Sequence, residues 1–440
     1  MRRIVLTQTS AIFGLAIASM VVVLNYDVKT ISPTALGIVA LVTFAAVVAA
    51  AMLIAWAGEA SQFSVSQGLA LAVVALVQTL PEFFVEGGIA WLAGQDPTKI
   101  DLVIANFTGA NRLLSGLGWP LILFIVQFQR RRNGHEGSGI ALRPEHSIEV
   151  VFMLGASFYY ILIIWKGTLT LVDSLIMGSV FFVYLAMLSK LPSEEEDPNE
   201  VLGPVPLTLV KIPSMRARGG AIISLFLFSG LVFVIIVQPF VLSMERIATL
   251  LFGGVLAVFF FIQWVAPFLS EFPEKVSAFH WARTIKLAPL ALLNFVSSSV
   301  NELTILIAII PIVFSISSGL ILPVPVAAHS GEILLTMAQS FYACASLLSL
   351  RYGLRNALTL FSLWLISTLI PIFAYNNPAV LVGRDVISVV FLVLAGVEVF
   401  LHRGKITVFR EFRQTVKEYV RGRGPRANGP SSSASKAQVI

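Results

Sequence analysis

Apolar runs long enough to cross a bilayer recur from one end of this chain to the other. A helix needs about 20 such residues to span a hydrocarbon core roughly 30 Å thick. No water reaches backbone amides there, so each run must close its own hydrogen bonds as a helix. Twelve spans are expected, at about 4–24, 33–56, 67–93, 101–127, 147–165, 169–189, 219–241, 247–279, 284–316, 325–349, 355–375 and 384–401. Composition agrees with that count of runs: 57% of residues are hydrophobic and 12% charged, against roughly 25% charged in a soluble domain. Mean hydropathy is +0.87. A soluble globular protein is excluded, and a polytopic membrane protein is expected.

The lysines and arginines test the span count independently, because short cytoplasmic segments carry most of them. With the N-terminus inside, 23 of the 30 fall in segments expected to be cytoplasmic, and five (Lys29, Lys99, Lys166, Arg246, Arg384) in external ones. Arg112 and Lys275 fall within spans. One miscounted helix would invert every segment after it, so the bias supports both termini being cytoplasmic. The net charge of +6 is then an orientation signal and an attraction to anionic headgroups, with no nucleic-acid partner expected. Met1-Arg2-Arg3 imitates the start of a signal peptide, but no small-x-small cleavage pattern precedes Asn25, so a retained first span is expected. One cysteine, Cys344, excludes a disulfide framework and thiolate metal sites within the chain. Five histidines without metal-ligand spacing, and no HExxH, GxSxG or GxGD motif, argue against a membrane-embedded enzyme. No catalytic residue and no cofactor is expected.

Two hydrophilic stretches punctuate the chain. The segment 190–218 carries Ser193-Glu194-Glu195-Glu196-Asp197-Pro198 and is expected to be a solvated cytoplasmic linker, since the acidic run lacks EF-hand spacing. The tail 403–440 is basic, then rich in Ser, Gly and Pro from Gly422, and is expected to be partly disordered.

An internal repeat points to function. Leu80-Pro81-Glu82 in the third expected span is matched by Phe272-Pro273-Glu274 in the eighth. Asn106-Phe107-Thr108-Gly109-Ala110-Asn111 follows the first, and Asn294-Phe295-Val296-Ser297-Ser298-Ser299 with Asn301 follows the second. The Glu-to-Asn separations are 24 and 20 (106 − 82 and 294 − 274). The two motif helices stand five places apart in the order of spans, with four helices between them, so they cross the membrane in opposite directions, as inverted-repeat transporters do. Each proline breaks its helix and frees a carbonyl, that of Val77 or Leu269. Beside each break lie a carboxylate (Glu82, Glu274) and further oxygens (Gln78 and Thr79; Ser270 and Glu271). Such hard oxygen donors suit sodium or calcium, and calcium takes 6–8 of them. A charge at membrane depth costs roughly 2.5–3.5 kcal/mol or more and marks function. Asn106 and Asn294 are either ligands or interhelical hydrogen-bonding residues.

At these residues the chain resembles the sodium/calcium exchanger family of the calcium/cation antiporter superfamily, as a divergent bacterial-type member. The family's repeats carry a Ser/Thr-x-Pro-Glu core and an Asn-x-x-Gly-Ser-Asn element. Gly58-Glu59-Ala60, Thr79-Leu80-Pro81-Glu82 and Asn106–Asn111 follow the family's order over about 70 residues, with Ala110 in place of Ser. In the second repeat Glu271 stands where a hydroxyl is expected, and the Asn element is degenerate. The resemblance implies an all-α polytopic membrane protein of about twelve transmembrane helices: two inverted five-helix repeats plus one extra helix at each end. The domains would be an extra N-terminal helix (1–32), a first repeat (33–189, alpha-repeat about 58–127), the linker (190–218), a second repeat (219–376, alpha-repeat about 258–316), an extra C-terminal helix (377–402) and the tail (403–440).

Glu82 and Glu274 would be the central metal ligands, with Thr79, Ser270, Asn106, Asn294 and Glu271 completing the cation site. Two cations depart from the pattern: Lys275 follows Glu274, and Arg112 follows the first Asn element. Either would occupy the space of a bound ion, or would pair structurally, as Lys275 with Glu271 at i,i+4. Glu86 and Glu302 are proton carriers or neutral buried acids. The expected activity is secondary antiport of calcium or a similar cation against sodium or protons, in a bacterial inner membrane, by alternating access. The alternative is a transport-inactive relative acting as a regulatory or assembly partner. With Cys344 replaced by Ser or Ala, a cysteine in the 128–146 loop and one beside Lys99 are expected to react with an impermeant maleimide from opposite sides of the membrane. Labelling from the same side would disprove the inverted repeat.

Overall fold

The computed structural model describes residues 2–61, 63, 77, 79–134, 137, 139–191, 202–253, 255–374 and 379–420. They are almost entirely helical. The first half contains α1 (Arg2–Asn25), α2 (Pro33–Ser61), α3 (Leu80–Gln95), α4 (Ile100–Leu113), α5 (Trp119–Arg132), α6 (Ser147–Lys166) and α7 (Leu171–Leu188). After the short α8 (Pro204–Val210) come α9 (Met215–Phe252), α10 (Val255–Ser270), α11 (Phe272–Ala282), α12 (Ala288–Asn301), α13 (Ile307–Ser318), α14 (Ser330–Leu347), α15 (Leu354–Ala374), α16 (Ala379–Leu401) and α17 (Val408–Thr415).

The two halves repeat one another in detail. Pro97–Lys99 forms a 3-10 turn, α4 follows with 14 residues, a π turn spans Leu114–Gly118, and α5 continues the rod. In the second half a 3-10 turn at Ile285–Leu287 leads into the 14 residues of α12, a π turn at Glu302–Leu306, and α13. Two small ribbons tie the halves together reciprocally. Gly139–Ala141, after α5, pairs antiparallel with Arg351–Gly353, before α15. Thr168–Leu169, before α7, pairs with Val324–Pro325, after α13. Each ribbon joins a connection of one half to the counterpart of the other connection, as a two-fold relation requires. At the second ribbon's end His329 meets Asp101 at 2.8 Å, Ser317 donates to the carbonyl of Trp91, and Lys99 pairs with Glu245. The connections expected outside are thereby gathered at one end.

By length and composition, seven helical segments among the described residues can cross a bilayer; an eighth joins them if Val382–Leu401 and Arg403–Glu418, bent by 67°, count as one span. The count covers the described residues only, which leave out part of the third and eleventh expected spans. The third and eighth expected spans are interrupted at their Pro-Glu motifs, and α14 carries Glu332, Thr336, Gln339 and Ser340. The expected ends also shift. The seventh span does not stop at 241; α9 runs 38 residues to Phe252, about 57 Å at 1.5 Å per residue. Its polar residues are held without leaving the helix: Ser243 donates to the Pro239 carbonyl, Glu245 pairs with Lys99, and Arg246 donates to the carbonyls of Val28 and Ile31. Hydrophobicity there marks the membrane surface and not the helix end. The eighth span, expected over 247–279 with a break at its proline, divides at Glu271 just before Pro273 and also at Gly253. In the tail, α17 docks on the core, with the amides of Thr407 and Val408 donating to the Leu348 carbonyl. Residues 64–76, Gln78, the acidic run 193–198 and 421–440 lie outside the described residues.

Close packing at the motif depends on one glycine. A Cβ on Gly109 would stand 1.8 Å from the carbonyl oxygen of Gln263, so α4 and α10 meet backbone to backbone. Small residues allow such approach in membranes. Gly109→Ala is expected to destabilise the fold by about 1–3 kcal/mol. The measurement is the thermal unfolding midpoint in detergent; an unchanged midpoint would show that the helices can separate at no cost.

Candidate functional site

Both Pro-Glu motifs stand at a helix restart. Thr79 (φ −87°, ψ −7°) precedes α3 and Glu271 (φ −90°, ψ 0°) precedes α11, with Pro81 and Pro273 in the first turn, where a missing amide costs nothing. Glu82 and Glu274 are each the third residue of their helix, at its positive end. From there they reach the helix of their own repeat's Asn element. Asn106 donates through Nδ2 to Glu82 Oε1 at 3.0 Å and to Glu86 Oε2 at 2.6 Å. In the second repeat Asn294 Nδ2 lies 2.9 Å from Glu274 Oε1, which also accepts from Ser298 Oγ at 2.5 Å. Although the Glu-to-Asn spacing differs by four residues, the same contact forms, because α11 is five residues shorter than α3 (11 against 16).

Further contacts cross between repeats. The Ser270 hydroxyl donates to Glu82 Oε2, and that of Ser277 to Glu59 Oε1 at 2.6 Å. Lys275 ion-pairs with Glu271 one turn back on the same helix face. Glu302 comes from the π turn to lie against Glu271, within electrostatic range of Glu82 and Glu274. Five buried carboxyl groups, Glu82, Glu86, Glu271, Glu274 and Glu302, thus share one buried ammonium. They cannot all be charged in so dry a place, so protons or cations must make up the balance. Glu86 Oε1, Asn106 Oδ1, Glu271 Oε1 and Glu302 Oε2 are buried without a hydrogen-bond partner. Among the described residues no three acidic, histidine or cysteine side chains are grouped as a metal ion's ligands. In this arrangement the Asn106 amide stands between the Glu82 and Glu86 carboxylates, and that of Asn294 meets Glu274 alone. Thr79 is buried at the first break, with its carbonyl accepting from the Phe83 amide at 3.0 Å.

Arg112 is not brought to this cluster. It donates to Glu332 Oε2 at 2.9 Å and stacks over Trp264, and Gln263 Nε2 reaches the same Glu332 oxygen at 3.1 Å. Arg384, from α16, approaches Glu332 Oε1 at 3.5 Å and lies so flat on Gly331 that a Cβ there would be 2.0 Å away. Sequence reasoning missed Glu332, Gln263 and Ser298. A signal for Glu332 was present: His146-Ser147-Ile148-Glu149 recurs as His329-Ser330-Gly331-Glu332, each opening a helix after a 3-10 turn. Ser298 stands, counting from the π turns, where the first repeat has Ala110.

A family model described as "Sodium/calcium exchanger protein" matches residues 34–190. Among solved structures, the chain is similar to an H+/Ca2+ exchanger, CAX, with 30% sequence identity and a TM-score of 0.82, covering 95% of this chain and 98% of that one. It is also similar to the sodium-calcium exchanger NCX_Mj, at 17% identity and a TM-score of 0.49, over 76% of this chain and 97% of that one. No curated protein matches. The motifs, the paired rods and the likeness to CAX over nearly its whole length agree: the chain is an integral membrane protein and belongs, as a divergent member, to the sodium/calcium exchanger family of the calcium/cation antiporter superfamily.

Proposed function

We propose that the protein is a secondary antiporter that exchanges calcium for protons at one midplane site by alternating access. The observation that carries this reading is the cluster of five buried carboxyl groups around two inverted helix breaks, with one ammonium among them. A divalent cation and two protons are interchangeable neutralisers of such a cluster. The carboxyl oxygens without partners at Glu86, Glu271 and Glu302 are acceptors for protons, and the similar CAX structure is named as an H+/Ca2+ exchanger.

Asn106 and Asn294 work as switches in this mechanism. With protons on the carboxyl groups, each amide NH2 faces its glutamate. Rotation of the Asn106 amide by half a turn presents Oδ1 in its place, adding a neutral oxygen to the Glu82 carboxylate for a hard cation. The Ser270 and Ser298 hydroxyls, which donate to Glu82 and Glu274, offer lone pairs by the same rotation. Lys275, tied to Glu271, supplies a fixed charge that is never exchanged. The cytoplasmic side is the one holding the 128–146 loop and both termini, in a bacterial plasma membrane, in accordance with the lysine and arginine bias.

In proteoliposomes with an imposed pH gradient, the parent is expected to take up calcium, and Glu82→Gln and Glu274→Gln are each expected to reduce uptake to background in folded, inserted protein. Uptake near the parent's in either variant would overturn the site, and uptake driven by sodium but not by protons would replace the coupling ion. Lys275→Ala is expected to leave Glu271 to a proton, steepening the dependence of uptake on pH. An unchanged pH profile would make Lys275 purely structural.

A further inference from the structure

The recurrence of His-Ser-x-Glu gives Glu332 a counterpart, Glu149, near the other end of the molecule. Their surroundings differ sharply. Glu332 is met by two guanidinium groups and the Gln263 amide. Glu149 is 3% exposed, and its Oε2 has no hydrogen-bond partner. The first half makes good no Arg112 or Arg384 for it. By the count from the π turns, Val300 stands where the first rod has Arg112, and Arg384 comes from the extra helix α16. An isolated buried carboxyl in a membrane helix is expensive and tends to be functional.

Glu149 lies between the surface and the central site. Glu145, half-buried at the start of the same helix face one turn earlier, acts on it electrostatically and also has a buried oxygen, Oε2, without a partner. Tyr184, fully buried on α7, packs its ring 5.4 Å from that of Phe152, one turn beyond Glu149, and its hydroxyl interacts with Ser297 and feels the Glu149 charge. The residue after Ser297 is Ser298, whose hydroxyl donates to Glu274. Buried oxygens of Glu145, Glu149 and Tyr184 thus lie between the 128–146 loop and α12, the helix that carries Ser297 and Ser298. A divalent cation requires several carboxylate or carbonyl ligands. One buried carboxylate and a phenol are too few for it, but both accept and release protons.

We propose that Glu145, Glu149 and Tyr184 form a proton relay between the face bearing the 128–146 loop and the central carboxyl cluster. A proton from water binds the Glu149 carboxylate by way of Glu145. It passes to the Tyr184 oxygen as that hydroxyl gives up its own proton toward Ser297 and the Glu274 side, so each group ends as it began. The remaining titratable neighbours leave this route open. His146 and Arg143 flank Glu149 in its own first turn, with the His146 ring accepting from the Arg143 amide. Asp173, the other acid of α7, is held by Lys166 and Tyr159 at the far end. Helix α12 brings no titratable group, α14 brings Glu332, Tyr342 and Cys344, and Glu302 acts on Tyr160 rather than Glu149. Arg410 and Glu411 of α17 pair with each other, and Arg413 completes that helix's charges.

The relay rests on the proposed calcium/proton exchange, and two fluxes in proteoliposomes of the full chain separate them. Isotopic calcium/calcium self-exchange needs no proton, whereas calcium-driven proton movement does. Glu149→Gln and Tyr184→Phe keep bulk, and each is expected to slow proton-coupled flux at least about tenfold, a modest share of what proton-transfer groups contribute, with self-exchange within about twofold of the parent's. Either variant matching the parent's proton-coupled rate, or losing both fluxes together, overturns the relay alone. A parent that self-exchanges calcium without moving protons overturns the functional reading, and the relay with it.

Discussion

A charge inside a bilayer must be neutralised, and the arrangement of this protein follows from how it does so. Its buried acids are treated in three ways. Glu332 receives fixed partners in Arg112 and Arg384. Glu271 receives one in Lys275. Glu82, Glu86, Glu274 and Glu302 receive only asparagine and serine donors or none, which satisfies oxygens but supplies no charge. The first group stabilises; the last can exchange one mobile neutraliser for another. In the proposed antiport, the transport chemistry resides in these last acids, which are left for ions and protons to balance.

Two of those acids, Glu82 and Glu274, stand where the helices carrying them restart after a break. Restarting a helix at Leu80 and at Phe272 places the carboxylate of the third residue at the positive end of the helix, which lowers the cost of a buried negative charge. The rods that follow each contain a single π turn, and α4 presses against α10 at Gly109 with no side chain between. Broken helices from one half therefore pack on unbroken ones from the other. Ser277 to Glu59 is a contact of this kind, Ser270 to Glu82 joins the two breaks, and any movement of one half against the other must break or re-form them.

The symmetry is incomplete, and its departures carry the individuality of the chain. Glu86 has no counterpart on α11, and Glu302 has none on the first π turn, so the carboxyl cluster is lopsided although its frame is not. The extra helix α16 is more than an appendage: its Arg384 lies across Gly331 and reaches Glu332. The same appended helix thereby closes one His-Ser-x-Glu carboxyl, while its twin at Glu149 keeps an unpartnered oxygen.

Hydrophobic run length, the lysine and arginine bias and the repeated Pro-Glu were enough to establish a polytopic helical protein with inverted halves. These properties depend on solvent and on chain-local sterics, which a sequence displays directly. Span ends were less legible, as with α9, because Glu245 and Arg246 stay helical through partners on Lys99, Val28 and Ile31 that are distant in the chain. Glu82 and Glu274 could be singled out from their place after a proline. Where Arg112 would sit could not, since its distance from the carboxyl cluster depends on Glu332, 220 residues away. The sequence by itself determined which residues are costly in a membrane; the tertiary structure alone decided which are paired, because charge compensation is a property of three-dimensional neighbours.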